Sequence, residues 1–259
     1  MVKLNLAHKK QALLASILLL SSSAYGYANT AIEQALSNPN RPSHELILDK
    51  VRKPAQVLEF FQLKPEMDVI DVFSGPGYYT ELLSHLVGKN GSVAMHNHSS
   101  WEAYSKKGSD ARIKNNRLPN VYQVMQDLNN TKLTANHFDA ATIFLGIHDM
   151  FLASEKSENG DKIDVNAFFN ALYKSIKPGG IVGIVEHQAK KGEAPVKSAE
   201  LHRTDSSKII EIMTTAGFTL EAQSNILRNY QDDHTQLVFD KSIRWQTDRV
   251  VLRFKKSAL

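Results

Sequence analysis

The sequence contains no cysteine in 259 residues. Disulfides, zinc–thiolate sites, iron–sulfur clusters and cysteine nucleophiles are therefore excluded, and so is a lipidated cysteine near the N-terminus. It also lacks an apolar run of about 20 residues that would cross a bilayer as a helix. Ala12–Leu20, nine residues long, is too short. There are no internal repeats and no low-complexity linker. There is no nucleic-acid module and no basic patch interleaved with aromatics, so DNA and RNA are not indicated as partners. A large excess of charge of one sign is also missing. The formal charge is +4, but Lys3, Lys9 and Lys10 are three of the 31 basic residues and precede the globular part, leaving 28 against 27 acidic. With 42% apolar and 22% charged residues, the chain is neither disordered nor fibrous. A chain of this length buries roughly 70% of its unfolded surface and needs no covalent staples.

The first 28 residues read as a secretory signal peptide. A short basic segment to Lys10 precedes the apolar run, and Ser21–Ser23 and small residues follow. Gly26 and Ala28, or Ala24 and Gly26, suit cleavage. The expected product is exported, periplasmic or secreted, begins near Asn29 and has no stable membrane insertion. Residues 29–62 are expected as an N-terminal helical extension and 63–259 as the main domain.

From Met67 onward, β-rich runs alternate with helical ones. Strands are expected at Met67–Phe73, Gly91–His96, Val121–Met125, Phe138–Leu145, Ile181–Glu186, Phe218–Ile226 and Arg249–Phe254. Helices are expected at Thr30–Leu36, at His44–Phe61 with a break near Pro54, and at Tyr78–Val87, Trp101–Lys114, Val165–Ile176 and Asp205–Ala216. Continuous apolar strands separated by helices define an α/β, doubly wound, mostly parallel sheet covered on both faces. Ligands of such sheets bind beyond the carboxyl ends of the strands, where strand order reverses.

At that place lies Asp71-Val72-Phe73-Ser74-Gly75-Pro76-Gly77-Tyr78-Tyr79, between a strand and a helix. Its glycines allow a tight turn and close approach of a ligand to the backbone. The segment resembles motif I of the class I S-adenosylmethionine-dependent methyltransferases, Asp-x-Gly-x-Gly-x-Gly. Asp127 followed by Phe138-Asp139, and Lys177-Pro178-Gly179-Gly180 before a strand, match further motifs in the same order. Arg52-Lys53-Pro54, Tyr78-Tyr79, His148-Asp149, Leu201–Asp205 and Asp248-Arg249 look like a poorly characterised branch of predicted methyltransferases.

The resemblance implies a seven-stranded Rossmann-like sheet and S-adenosyl-L-methionine as cofactor. Asp71, Ser74, Gly75, Gly77 and Tyr78 would hold its methionine end, with Asp71 on the amino group. Asp127 and Leu128 would meet the adenine. Phe73 stands where the first motif glycine belongs, and Asn97 where an acid would take the ribose hydroxyls.

Several histidines fall at strand ends: His96 and His98, His148 with Asp149, and His187 after Glu186. Imidazole titrates near neutrality and can accept a proton from a hydroxyl or amine. His148, Asp149 and His187 are the candidate catalytic residues; a helix N-cap is the other reading of Asp149. Tyr79, His202 and Arg203 are candidates for substrate binding, Arg203 as a clamp for an anionic group. Asp205 is a helix N-cap candidate, and Asp232-Asp233-His234 reads as a polar loop. A His/carboxylate metal site is chemically open to these residues, but no HExxH-like spacing supports one, and no metal is expected.

The expected function is methyl transfer to an unidentified small-molecule acceptor. The alternative is an exported, non-catalytic small-molecule-binding protein that keeps this fold. Asn97 favours the alternative; the intact Asp71, Gly75, Gly77 and Asp127 favour the enzyme.

Overall fold

The computed structural model describes residues 28–156 and 163–258. The leader expected at 1–28 lies outside these residues but for the last of them. Residues 28–36 form α1. There follow α2 (Leu46–Arg52), α3 (Pro54–Phe60), β1 (Asp68–Val72), α4 (Tyr78–Val87), β2 (Ser92–His98), α5 (Glu102–Ile113), β3 (Val121–Gln126), β4 (Phe138–Phe144), α6 (Ile147–Lys156), α7 (Val165–Ser175), β5 (Ile176–His187), α8 (Pro195–Ala199), α9 (Ser206–Thr215), β6 (Thr219–Ser224) and β7 (Arg249–Lys255).

The strands form one sheet in the order β3-β2-β1-β4-β5-β7-β6. The pairs between β1, β2, β3, β4 and β5 are parallel, and β7 runs antiparallel between β5 and β6. Order reverses at β1, whose neighbours are β2 and β4, so the crevice opens above the end of β1.

Side chains alternate across the pleat and build two apolar layers. Ile70, Val72, Ala141, Ile143, Val182 and Ile184 face α6, α7 and α9 through Met150, Phe168, Leu172, Ile209 and Met213. Val69, Val93, Met95, Ala140, Ile181 and Val185 face the other way, onto Leu82, Leu83 and Leu86 of α4. Val57, Leu58 and Phe61 of the helical extension join this second layer. The Phe61 ring lies so close to β5 that a Cβ on Gly183 would come within 2.3 Å of it. The extension thus completes the core of the domain.

The expected strands are all present, and apart from the start of β5 their ends fall within two residues of the expected ones. The main difference is at Lys177-Pro178-Gly179-Gly180, expected as a turn before β5 but found inside it as a bulge. Ile176 pairs with Phe138 and Ile181 with Ala140, so the four residues between them oppose one on β4. Gly179, at φ 79°, turns the bulge, and the Lys177 ammonium holds Asp139 at 2.9 Å. α8 was not expected from the sequence, and α6 only through the reading of Asp149 as an N-cap; Asp149 instead lies in the first turn of α6. Among the described residues, no helix is long and apolar enough to cross a membrane.

Candidate active site

A cavity of about 810 Å³ lies over the carboxyl ends of β1, β4 and β5. Its floor includes Asp71, Ser74 and Gly75, one wall carries Arg52, Tyr78 and Tyr79, and the opposite wall carries His148, Asp149, His187 and His202.

Asp71, the fourth residue of β1, is 1% exposed. Its carboxylate accepts hydrogen bonds from Thr80 (2.7 Å) and Thr142 (3.0 Å). Burial pushes its pKa up to about 6, against the pull of those bonds and of Arg52. A buried carboxylate that gains an ammonium partner ionises more readily. Arg52, at the end of α2, lies over the Tyr78 ring at 4.5 Å. Its Nε is buried with no hydrogen-bond partner among the described residues. An acid and a guanidinium at one end of a cavity suit the ammonium and carboxylate of a zwitterionic amino acid. Sequence reading missed Arg52 as a ligand contact, although it named Arg52-Lys53-Pro54; Pro54 starts α3 and breaks the preceding helix at Lys53, which has φ 45°.

The glycine loop is bent by Phe73, Gly75 and Gly77 at φ 57°, 55° and 91°. Phe73 stacks on Phe168 (centroids 5.5 Å) and meets Trp101 edge-on (5.1 Å). Gly77 was expected to let the ligand approach. Instead it faces away from the cavity: a Cβ there would meet Arg112 and Met95 at 3.2 Å. Arg112 binds the Pro76 carbonyl (3.1 Å), Glu81 (2.8 Å) and Glu45, and so ties the loop to α4 and α5. Gly77→Val is therefore expected to lower stability, with about 2 kcal/mol from backbone strain alone. Urea unfolding of the variant checks this; an unchanged midpoint would return Gly77 to the ligand side.

Asn97, expected at the ribose, is occupied within the protein. Its side-chain oxygen accepts the Gly75 amide (2.8 Å), and its nitrogen donates to Ser74 Oγ (3.0 Å) and the Gly75 carbonyl (3.2 Å). Asn97 fixes the loop from below and does not line the cavity. Asp127 and Leu128 do not line it either; Asp127 caps the turn at Leu128–Asn130 through the Asn129 amide. In their place the cavity offers the ring faces of Trp101 and Tyr104, which sequence reading left without a role. The residues present fit S-adenosylmethionine: a charged pair for its amino-acid end, an open glycine backbone at Gly75, and aromatic faces for its purine.

On the opposite wall, Glu186 at the end of β5 is fully buried. One of its oxygens accepts the Ile147 amide (2.8 Å) at the start of α6. The other lies 3.0 Å from His148 Nδ1 and accepts the His187 amide at 2.8 Å. Burial disfavours a charged His148, but Glu186 and Asp149 outweigh it and raise the imidazole pKa. Burial raises that of Asp149. Burial and the neighbouring imidazoles and guanidinium groups push the pKa of His187 well down. Its Nδ1 lies 2.8 Å from Thr247 Oγ1. His202 Nδ1 lies 3.1 Å from His148 Nε2.

Arg203, the expected substrate clamp, is fully buried in the fold. It pairs bidentately with Asp232 (2.8 and 3.1 Å) and donates to the carbonyls of Gln188 and Gln236. Asp232, expected in an open polar loop, is thus a structural anchor. Asp205 caps α9 as expected, accepting the Ser207 amide at 3.1 Å. His96 and His98 do not line the cavity. His96 is wedged against Phe73 and Phe168, and burial lowers its pKa to about 4. His98 caps the following turn through the Ser100 amide.

The sequence pattern of the protein-L-isoaspartate(D-aspartate) O-methyltransferase family matches residues 37–145. A ubiquinone/menaquinone biosynthesis C-methyltransferase, UbiE, from Shewanella sp. (strain ANA-3) is 27% identical over 184 residues, covering 69% of this chain and 66% of the relative. The chain therefore spans just under two thirds of that relative's length. A S-adenosylmethionine-dependent methyltransferase from Aquifex aeolicus has the same fold with a TM-score of 0.56, at 18% identity over 88% of this chain and 97% of the other. A putative sarcosine dimethylglycine methyltransferase from Galdieria sulphuraria superposes with a TM-score of 0.58, at 13% identity over 83% and 88%. Strand order, motif order and these similarities together support a class I S-adenosylmethionine-dependent methyltransferase. S-adenosylmethionine is the cofactor of that class.

Proposed function

We propose that the protein transfers the methyl group of S-adenosylmethionine to a small, planar, largely apolar acceptor held in the same cavity. The observation that carries this reading is the joining of two half-sites in one cavity: Asp71, Arg52 and Gly75 on one side, the imidazoles of His148, His187 and His202 on the other. The bound cofactor would supply an electrophilic methyl group on sulfur. Asp71 and Arg52 fix the amino-acid end of that molecule, and so the direction in which the methyl group is presented. Phe144, Leu145, Phe239 and Trp245 also line the cavity. Tyr79 stacks flat on Phe144, with centroids 3.4 Å apart, and stiffens this wall. Flat apolar walls exclude water and orient a ring, which is where positional catalysis gains most. The relatives named for quinone biosynthesis support a ring acceptor. The basic, apolar and small-residue order of the leader supports export of the protein.

The test is calorimetric titration of the purified protein with S-adenosylmethionine and S-adenosylhomocysteine, followed by an acceptor screen with methyl-labelled cofactor. Micromolar binding and label transfer to a phenol- or quinol-type ring are expected. No binding at millimolar ligand would overturn the reading in favour of a non-catalytic binding protein. In the active enzyme, His187→Ala is expected to lower turnover far more than cofactor affinity. Equal losses in both would place His187 at the cofactor.

A further inference from the structure

We propose that His148, Asp149 and His202 form a binding site for a divalent transition-metal ion of the zinc type, on the acceptor wall of the cavity. Three ligand atoms converge there. His148 Nε2 and His202 Nδ1 are 3.1 Å apart, His148 Nε2 and the Asp149 carboxylate 3.5 Å, and His202 Nδ1 and Asp149 3.7 Å. Ligands about 2.0–2.1 Å from a tetrahedral zinc ion stand about 3.3–3.4 Å from one another. The three edges bracket that value, so one ion reaches all three atoms after shifts of a few tenths of an ångström.

The surroundings favour an ion as well. Glu186 holds His148 Nδ1 at 3.0 Å, so a proton shared there leaves the Nε2 lone pair for the metal. A buried carboxylate behind a ligating imidazole orients it and raises its basicity. The Phe239 ring packs edge-on against His202, with centroids 4.8 Å apart. Two imidazoles and one carboxylate select zinc, iron, cobalt or nickel over magnesium and calcium. Three protein ligands leave at least one coordination position, as in catalytic rather than structural sites. All three residues line the cavity, so that position faces the space for the acceptor. A hydroxyl or amine bound there loses its proton more readily than in water. The inference adds to the proposed reaction without depending on the cofactor: metal and cofactor are held by different residues and measured separately.

The experiment uses the purified full-length protein, freed of metal with a chelator and titrated with Zn²⁺ by calorimetry and with Co²⁺ by visible absorption. One ion per chain is expected, with the absorption bands of four- or five-coordinate Co²⁺ and a higher melting temperature. His202→Ala and Asp149→Asn should each weaken binding at least about tenfold, and Glu186→Gln about 10- to 100-fold. His137→Ala, outside the cavity, should leave binding intact. Far-UV circular dichroism checks the fold of each variant. Absence of stoichiometric binding to the wild-type chain, or unchanged affinity in folded His202→Ala and Asp149→Asn, would overturn the site. Titration of the metal-free protein with S-adenosylmethionine tells failure of this inference from failure of the methyltransferase reading.

Discussion

Asp71→Asn is expected to weaken S-adenosylmethionine binding about 100-fold or more, while the protein melts near the wild-type temperature. Removing one partner of a buried charge pair costs about 2–5 kcal/mol in binding, and each 1.4 kcal/mol is tenfold. The fold should tolerate the change, because the amide oxygen still accepts from one threonine, the amide nitrogen can donate to the hydroxyl oxygen of the other once that hydroxyl rotates, and no charge remains to be desolvated. A pH signature accompanies it. In the free protein the Asp71 carboxyl titrates at about 6, raised by burial and moderated by its threonine bonds and Arg52. An ammonium ligand favours the ionised form, so affinity should hold above that pH. Below it, affinity should fall about tenfold per pH unit. The Asn variant should lose this dependence. A wild-type affinity flat from pH 7 to 5 would mean that Asp71 does not meet the amino group. Calorimetry across that range decides between the two.

Arg203→Ala is expected to destabilise the protein by about 3–5 kcal/mol, the cost of breaking a buried pair and leaving its partner charged. Asp232 would keep its amide donors from His234 and Asp248 but lose both guanidinium bonds. The carbonyls of Gln188 and Gln236 would lose donors in the same region. Urea unfolding gives the magnitude directly. If the variant unfolded like wild type yet showed a raised KM for an acidic acceptor, Arg203 would be a substrate clamp after all.

The contrast between Arg203 and Asp71 shows what the sequence carries. Strand and helix order was legible because runs such as Met67–Phe73 and Ile181–Glu186 are apolar without interruption, as parallel strands buried on both faces must be. The place of Asp71 and Gly75 follows from that order, since the crevice is fixed by topology. Asn97 was placed at the right strand end, but its side chain turns under the loop, a choice set by the Gly75 amide rather than by local pattern. Arg203 looked like a ligand clamp because its partner Asp232 lies 29 residues away in an irregular segment. The meeting of His148 with His202 spans 54 residues, and no ligand spacing announces it. Pairings of this kind arise only when α6 and the turn before α9 are packed over β5.

The helical extension has a consequence for where the enzyme begins. His44, Glu45, Leu48 and Arg52 line the cavity, and Glu45 is bound to Arg112 behind the glycine loop. Arg41 grips Asp49, which accepts the Tyr78 hydroxyl, so this segment is riveted to the first turn of α4. A shortened protein starting at β1 would keep every motif by which its class is recognised. It would nonetheless lose one wall of the cavity, and with it Arg52 as the counter-charge for a carboxylate beside Asp71. The segment upstream of the signature motifs is thus half of the vessel.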